Sequence, residues 1–232
     1  MKLKKIFILL GILVIIPSFM AGVELSIGPC VGFSLNHYWG SDAKRMRDED
    51  ALNRAGVWDP KPHWNVGLSG GAFFRIQFLD WFILEPEFLF DVRKAGYKLK
   101  NVNNEDETIF VNTRVFLIDL PVLVRFKFNR FSIFTGPNFM FKVGKTHNIE
   151  RNSDTGSKVK TNVDKRYQKI FALGMIMGLG YDFPVGSKGG YFVLDLRYNL
   201  SFMSFDKYGG IYHDDRKLNA LTIGLGYGFK LK

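Results

Sequence analysis

The chain has one cysteine, four histidines and eight prolines in 232 residues. The single thiol, Cys30, leaves no partner for an intrachain disulfide, which excludes a cysteine-stapled secreted fold. Cys30 also lacks the neighbours of a lipid-attachment site, because Ile27, Gly28 and Pro29 precede it, and it reads as a buried small residue. No apolar run reaches the roughly 20 residues that a spanning helix needs. No segment shows a long amphipathic helical pattern either. A mean hydropathy of -0.02 excludes a disordered, collagen-like or polytopic helical chain.

Aromatic and small residues are abundant instead, with 23 Phe and 24 Gly. The formal charge is +10, and it falls to +7 without Lys2, Lys4 and Lys5. That excess is interspersed with acidic residues rather than packed into a basic, aromatic-rich block, so nucleic acid is not an expected partner.

The three early lysines precede an apolar run from Ile6 to Ile16, followed by Pro17, Ser18 and the small residues Ala21 and Gly22. This is the layout of a secretory signal, expected to span 1–21 and to be removed from a domain at 22–232.

From Val23 onward the dominant pattern has a period of two, the mark of strands with two unlike faces. Eight such segments are predicted, beginning near residues 23, 64, 82, 116, 131, 171, 191 and 221. Phe82, Leu84, Phe88, Phe90 and Val92 alternate with Glu85, Glu87, Asp91 and Arg93, so one face of one strand carries four charges. The last strand sets Leu221, Ile223, Leu225, Tyr227 and Phe229 against Thr222, Gly224, Gly226 and Gly228. Glycines at period two inside a strand suit a narrow interior and not a phosphate-binding loop. Two segments are imperfect: Leu117 and Leu123 intrude on the polar side of the fourth, and Phe134 and Met140 on that of the fifth.

The connections alternate as well. His37 to His63, Lys94 to Glu107, Lys145 to Tyr167 and Met203 to Lys217 read as long loops, whereas Leu79 to Trp81, Asn129 to Arg130 and Pro184 to Gly190 read as short turns. An even number of strands with this rhythm matches an all-β, eight-stranded antiparallel up-and-down transmembrane β-barrel. A soluble barrel would turn its apolar face inward. Here the apolar face is a nearly unbroken set of Phe, Leu, Ile, Val and Tyr that suits lipid. The polar face carries Gly, Ser, Asn and mixed charges that suit a lumen. Arg75, Glu85, Glu87, Asp91, Arg93, Asp119, Arg125, Asp195 and Arg197 are therefore expected to form a structural charge network inside the barrel. Trp64, Phe78, Trp81, Tyr191 and Phe229 are candidates for interfacial girdles. Pro29, Pro86, Pro121 and Pro137 fall inside strands, and bulges or lumen-side hydrogen bonds are predicted there.

Six stretches then carry a resemblance: Leu84-Glu85-Pro86-Glu87-Phe88, Asp119 to Phe126, Thr135-Gly136-Pro137, Gly178 to Tyr181, Leu196-Arg197-Tyr198-Asn199 and Gly224 to Phe229. Together they resemble the outer-membrane β-barrel domain family that includes PorT-like proteins, small barrels related in architecture to OmpA and OmpX. The resemblance implies the fold and a place in the cell outer membrane of a two-membrane bacterium. It supplies no catalytic residue or cofactor. It makes Leu-Pro and Glu-Pro-Glu within strands a family habit. One departure is the ending Lys230-Leu231-Lys232, where substrates of the barrel assembly machinery often finish on an aromatic residue.

Catalytic, cofactor and metal sites are not expected. His37, His63, His147 and His213 fall in outer loops or at their edges without ligand spacing. His213-Asp214-Asp215 resembles the rim groups of some barrel proteases, since a carboxylate can orient an imidazole for base catalysis. Those enzymes have ten strands, however, and eight are counted here. The third long loop sets Lys145, Arg151, Lys158, Lys160, Lys165 and Arg166 against Glu150, Asp154 and Asp164. This loop is a candidate contact surface for lipopolysaccharide phosphates or an anionic host surface. The expected function is a structural, adhesive or interaction role through outer loops. The expected partners are outer-membrane lipid and lipopolysaccharide, the assembly machinery, and an envelope or host-surface protein, with the chain itself a monomer. The alternatives are an accessory part of a secretion apparatus, a small channel and a rim hydrolase.

Overall fold

A computed structural model describes residues 23–40, 44, 47, 48, 50, 52, 57–104, 106–162, 169–185, 189–204 and 217–231. The expected signal segment, Lys165, Arg166 and His213 to Asp215 lie outside the described residues. Among the described residues there are ten strands: β1 (Glu24–Trp39), β2 (Trp58–His63), β3 (Asn65–Leu79), β4 (Phe82–Asn101), β5 (Thr108–Phe128), β6 (Phe131–Asn152), β7 (Lys158–Asn162), β8 (Phe171–Val185), β9 (Gly190–Ser201) and β10 (Lys217–Leu231).

Eight of them close a ring. Antiparallel ladders run from β1 to β3, β4, β5, β6, β8, β9 and β10, and β10 returns to β1 with Leu25 facing Leu231. Closure follows from the surroundings the residues dictate, because hydrocarbon offers no partner to an open strand edge. The apolar face points out. Val31, Leu68, Phe90, Ile223 and Leu225 are all more than half exposed, whereas Glu85, Arg93, Asp119 and Arg125 are buried. Along β4 the outward apolar stripe from Phe82 to Val92, at ~3.4 Å per residue and a ~45° tilt, spans roughly 24 Å. That matches the apolar band of such barrels.

The two extra strands are not part of the ring. Among the described residues β2 pairs with the far end of β4 alone, and β7 with the far end of β6. The predicted loop Lys94 to Glu107 is therefore mostly sheet. So is much of Lys145 to Tyr167. β4, β5 and β6 continue past the membrane band and, with β2 and β7, build a five-stranded extension on one flank. In the first long connection Lys44, Arg47, Asp48, Asp50 and Leu52 take helical backbone.

The predicted bulges at the four strand prolines are absent. Register is unbroken across Pro29, Pro86, Pro121 and Pro137, and the shifts fall instead at Gln77/Leu79 and Arg114/Phe116. A Cβ built on Gly28, Gly71 or Gly136 would lie 1.8, 1.9 or 2.0 Å from the carbonyl oxygen of Tyr227, Phe88 or Val122. Gly28 and Gly136 stand directly before Pro29 and Pro137, and the facing strands come close there because no side chain intervenes. Gly136→Val should thus force the β5–β6 ladder apart at a cost of about 2 kcal/mol. The check is the urea midpoint in detergent, followed by loss of the compact band in unboiled electrophoresis.

Candidate functional site

The lumen is filled by guanidinium groups and carboxylates delivered by the inward positions of β3, β4, β5, β8 and β9. Arg125 sits at the centre. Its Nη2 donates to Glu85 Oε1 at 2.7 Å and Asp195 Oδ2 at 2.6 Å, and its Nη1 donates to Ser132 Oγ at 3.1 Å. Below it Arg75 pairs with Glu85, and its Nη1 reaches both Asp182 oxygens at 3.0 and 3.1 Å. Beside it Arg197 grips Glu87 with two bonds of 2.6 and 2.8 Å and donates to Asp195 at 2.6 Å. A second group lies nearer the outer end. Arg93 pairs with Asp91 at 2.7 Å and with Asp119, which also accepts from Asn138.

All nine residues singled out from the sequence stand inside the barrel, in these two groups. Asp182, which anchors Arg75, was not among them. It sits on the small-residue side of β8, in line with Gly178 and Gly180, and that alignment was the available signal. The residues that seemed to spoil the alternation also have a role here. Phe134 lies under Arg125 with 4.2 Å from guanidinium carbon to ring centre, and the Met140 sulfur lies 3.7 Å from Arg93 Nη1. Leu117 packs with Val115, Met140 and Ala172, and Leu123 packs with Phe134 and Ile176. Tyr191 faces inward as well, with Phe73 and Val193, its ring 5.0 Å from Arg75. It is not a girdle residue, unlike the exposed Trp64, Trp81 and Phe229. The central cavity lined by Cys30, Arg75, Asp91, Asp119 and Arg197 measures about 40 Å³, enough for about three water molecules and too small for a wide channel.

Outside the membrane band the extension also has two faces. Inward, Tyr97, Leu99 and Ile109 form a buried apolar cluster with Trp58 and Val111, and Tyr97 donates to Asp50 of the first long connection at 2.9 Å. Outward, the register aligns mostly polar residues across five strands, with Phe110 and Ile149 among them. Of the six cations of the third long loop, Lys145 and Arg151 lie in β6 and Lys158 and Lys160 in β7, so the surface they form is sheet and not loop. His63 also faces outward, its ring 5.3 Å from that of Phe110, where burial and the Lys98 ammonium push its pKa below the ordinary value. His37, His63 and His147 stand on β1, β2 and β6.

A closed barrel with an apolar exterior, an ionic interior, short turns at one end and long connections at the other is a transmembrane barrel of the outer-membrane kind. The chain belongs to the family described as outer membrane protein beta-barrel domain, whose model matches residues 20–207. It resides in the outer membrane. No protein of curated function matches it in sequence. Among solved structures it is similar to Neisserial surface protein A (12% identity, TM-score 0.36, covering 90% of this chain and 99% of that one). It is likewise similar to Ail, the attachment invasion locus protein of Yersinia pestis (14%, 0.40, 89% and 99%). A third is the outer membrane protease OmpT from Escherichia coli (6%, 0.45, 90% and 96%).

Removing Arg125 leaves Glu85 with Arg75 and Asp195 with Arg197 as their remaining partners, and the buried group with an excess of negative charge. Arg125→Met should therefore lower the unfolding free energy by about 3–5 kcal/mol. The triple change Arg125→Met, Glu85→Gln, Asp195→Asn should recover part of that loss, measured by thermal unfolding in detergent micelles.

Proposed function

We propose that this protein is a non-catalytic binding protein of the cell surface, in which the barrel is a rigid mount and the outer extension presents the contact surface. One observation carries this reading. β4, β5 and β6 run eight or more residues beyond the membrane band and recruit β2 and β7, which spanning alone does not require. A five-stranded sheet backed by the Tyr97, Leu99 and Ile109 cluster is stiff. It offers a preorganised surface at low entropic cost of binding. The packed lumen supports the same reading against a channel, and the attachment role in the name of the Yersinia protein is compatible with it.

Two measurements test this. In planar bilayers the purified protein should give no unitary conductance steps. Cells displaying the protein should attach to epithelial monolayers or matrix-coated surfaces more than cells displaying a variant with residues 97–111 and 147–161 replaced by tight turns. Regular conductance steps, or equal attachment by a trimmed variant that still folds, would overturn the proposal.

A further inference from the structure

The outward face of the extension places like charges directly opposite one another. The register sets Lys61 against Lys98, Lys94 against Arg114, and Arg151 against Lys158. Facing cations in neighbouring strands destabilise a sheet. Three such pairs on one face mean that the sheet alone does not neutralise it. Among the described outward positions of these five strands Asp59 is the one carboxylate, and it pairs with Lys61 at 2.9 Å. The face spans about 19 Å across five strands.

Its position selects the partner. Lys94 and Arg114 come two residues after Val92 and two before Phe116, the last lipid-facing residues of β4 and β5. The cationic surface is the direct continuation of the apolar stripe Phe90, Val92, Phe116 and Ile118. It looks sideways along the membrane and begins where the acyl chains end. The opposite flank differs, because its outward ends carry Leu35, Trp39, Trp64 and Tyr198, with Lys217 lying over the Trp39 ring at 5.7 Å.

We propose that the outward face of the β2–β4–β5–β6–β7 extension binds the phosphate groups of anionic glycolipid in the outer leaflet, so that one flank of the barrel carries bound lipid and the other does not. Acyl chains lie along Phe90 and Ile118 while the head-group phosphates bridge Lys94 with Arg114 and Lys61 with Lys98. The phosphates relieve the like-charge repulsion. This inference goes beyond the proposed attachment role and holds whatever the extension's other surfaces bind.

The test uses the full barrel in phosphatidylcholine nanodiscs, with diphosphorylated lipid A and the same glycolipid stripped of phosphate as probes, and retained glycolipid counted by native mass spectrometry. Wild type should retain the diphosphorylated form and not the phosphate-free one. Each cation near a charged lipid surface adds to the attraction, so Lys94→Gln with Lys98→Gln and Arg114→Gln should weaken retention about tenfold or more. Lys217→Gln on the other flank should leave it unchanged. If the triple variant loses its compact band in unboiled electrophoresis, Arg151→Gln with Lys158→Gln takes its place and should weaken retention severalfold. Equal retention of the phosphate-free glycolipid, or equal retention by a folded variant, would overturn the proposal. Binding of soluble heparin to the same face with no effect of the substitutions on lipid A would also overturn it, assigning the face to a soluble polyanion.

Discussion

Everything in this barrel follows from the inability of hydrocarbon to solvate a charge or a backbone amide. Apolar side chains must cover the exterior, and no ladder can end in an edge. The ionisable residues of the spanning strands are thereby forced into a lumen barely wide enough for side chains. An unpaired ion there has no bulk water to turn to, so each guanidinium must meet carboxylates at hydrogen-bond distance. Arg125 meets two, Glu85 and Asp195, and each of those is shared, Glu85 with Arg75 and Asp195 with Arg197. Sharing links β3, β4, β5 and β9 through one network, so the ions that cannot leave the lumen also brace its walls.

Charge alone does not fill the space. Phe134 under Arg125 supplies a flat apolar shelf whose π-face attracts the guanidinium. Gly180 makes room beside it, since a Cβ there would lie 2.4 Å from Arg125 Nη1. The glycines facing the lumen and the large side chains opposite them are thus one packing solution. Arginine suits it better than lysine would, because its planar fork bonds two carboxylates and stacks on an aromatic ring at once.

The same constraint explains what could be read in the sequence. Alternation with the greasy face outward identified the eight ring strands, their direction and the nine lumen charges, because burial in lipid gives that pattern its contrast. The extension was missed because its polarity is inverted. Beyond Val92 the chain still alternates, but Ala95, Tyr97 and Leu99 turn inward while Lys94, Lys98 and Lys100 turn outward. Above the membrane water surrounds the sheet, and apolar residues belong on its inner side. A search for apolar-outward alternation stops at that reversal and reports a loop. The prolines misled because one missing donor does not by itself break the register, which the neighbouring ladder pairs on either side hold.

That reversal of phase also locates the membrane surface to within a residue pair. On β4 it falls between Val92 and Lys94, and on β5 between Phe116 and Arg114. On β6 it falls between Val143 and His147, where the register shifts by two residues and Gly144 takes a φ of 72°. The irregularity is therefore placed at the boundary between two solvents. β4 and β5 continue in phase with opposite chemistry, and so does β6, because the two residues it inserts leave the period-two alternation unchanged. The three reversals occur at one height on one flank, so the extension is built as a unit on top of the lipid and is not a set of three strands that happen to be long.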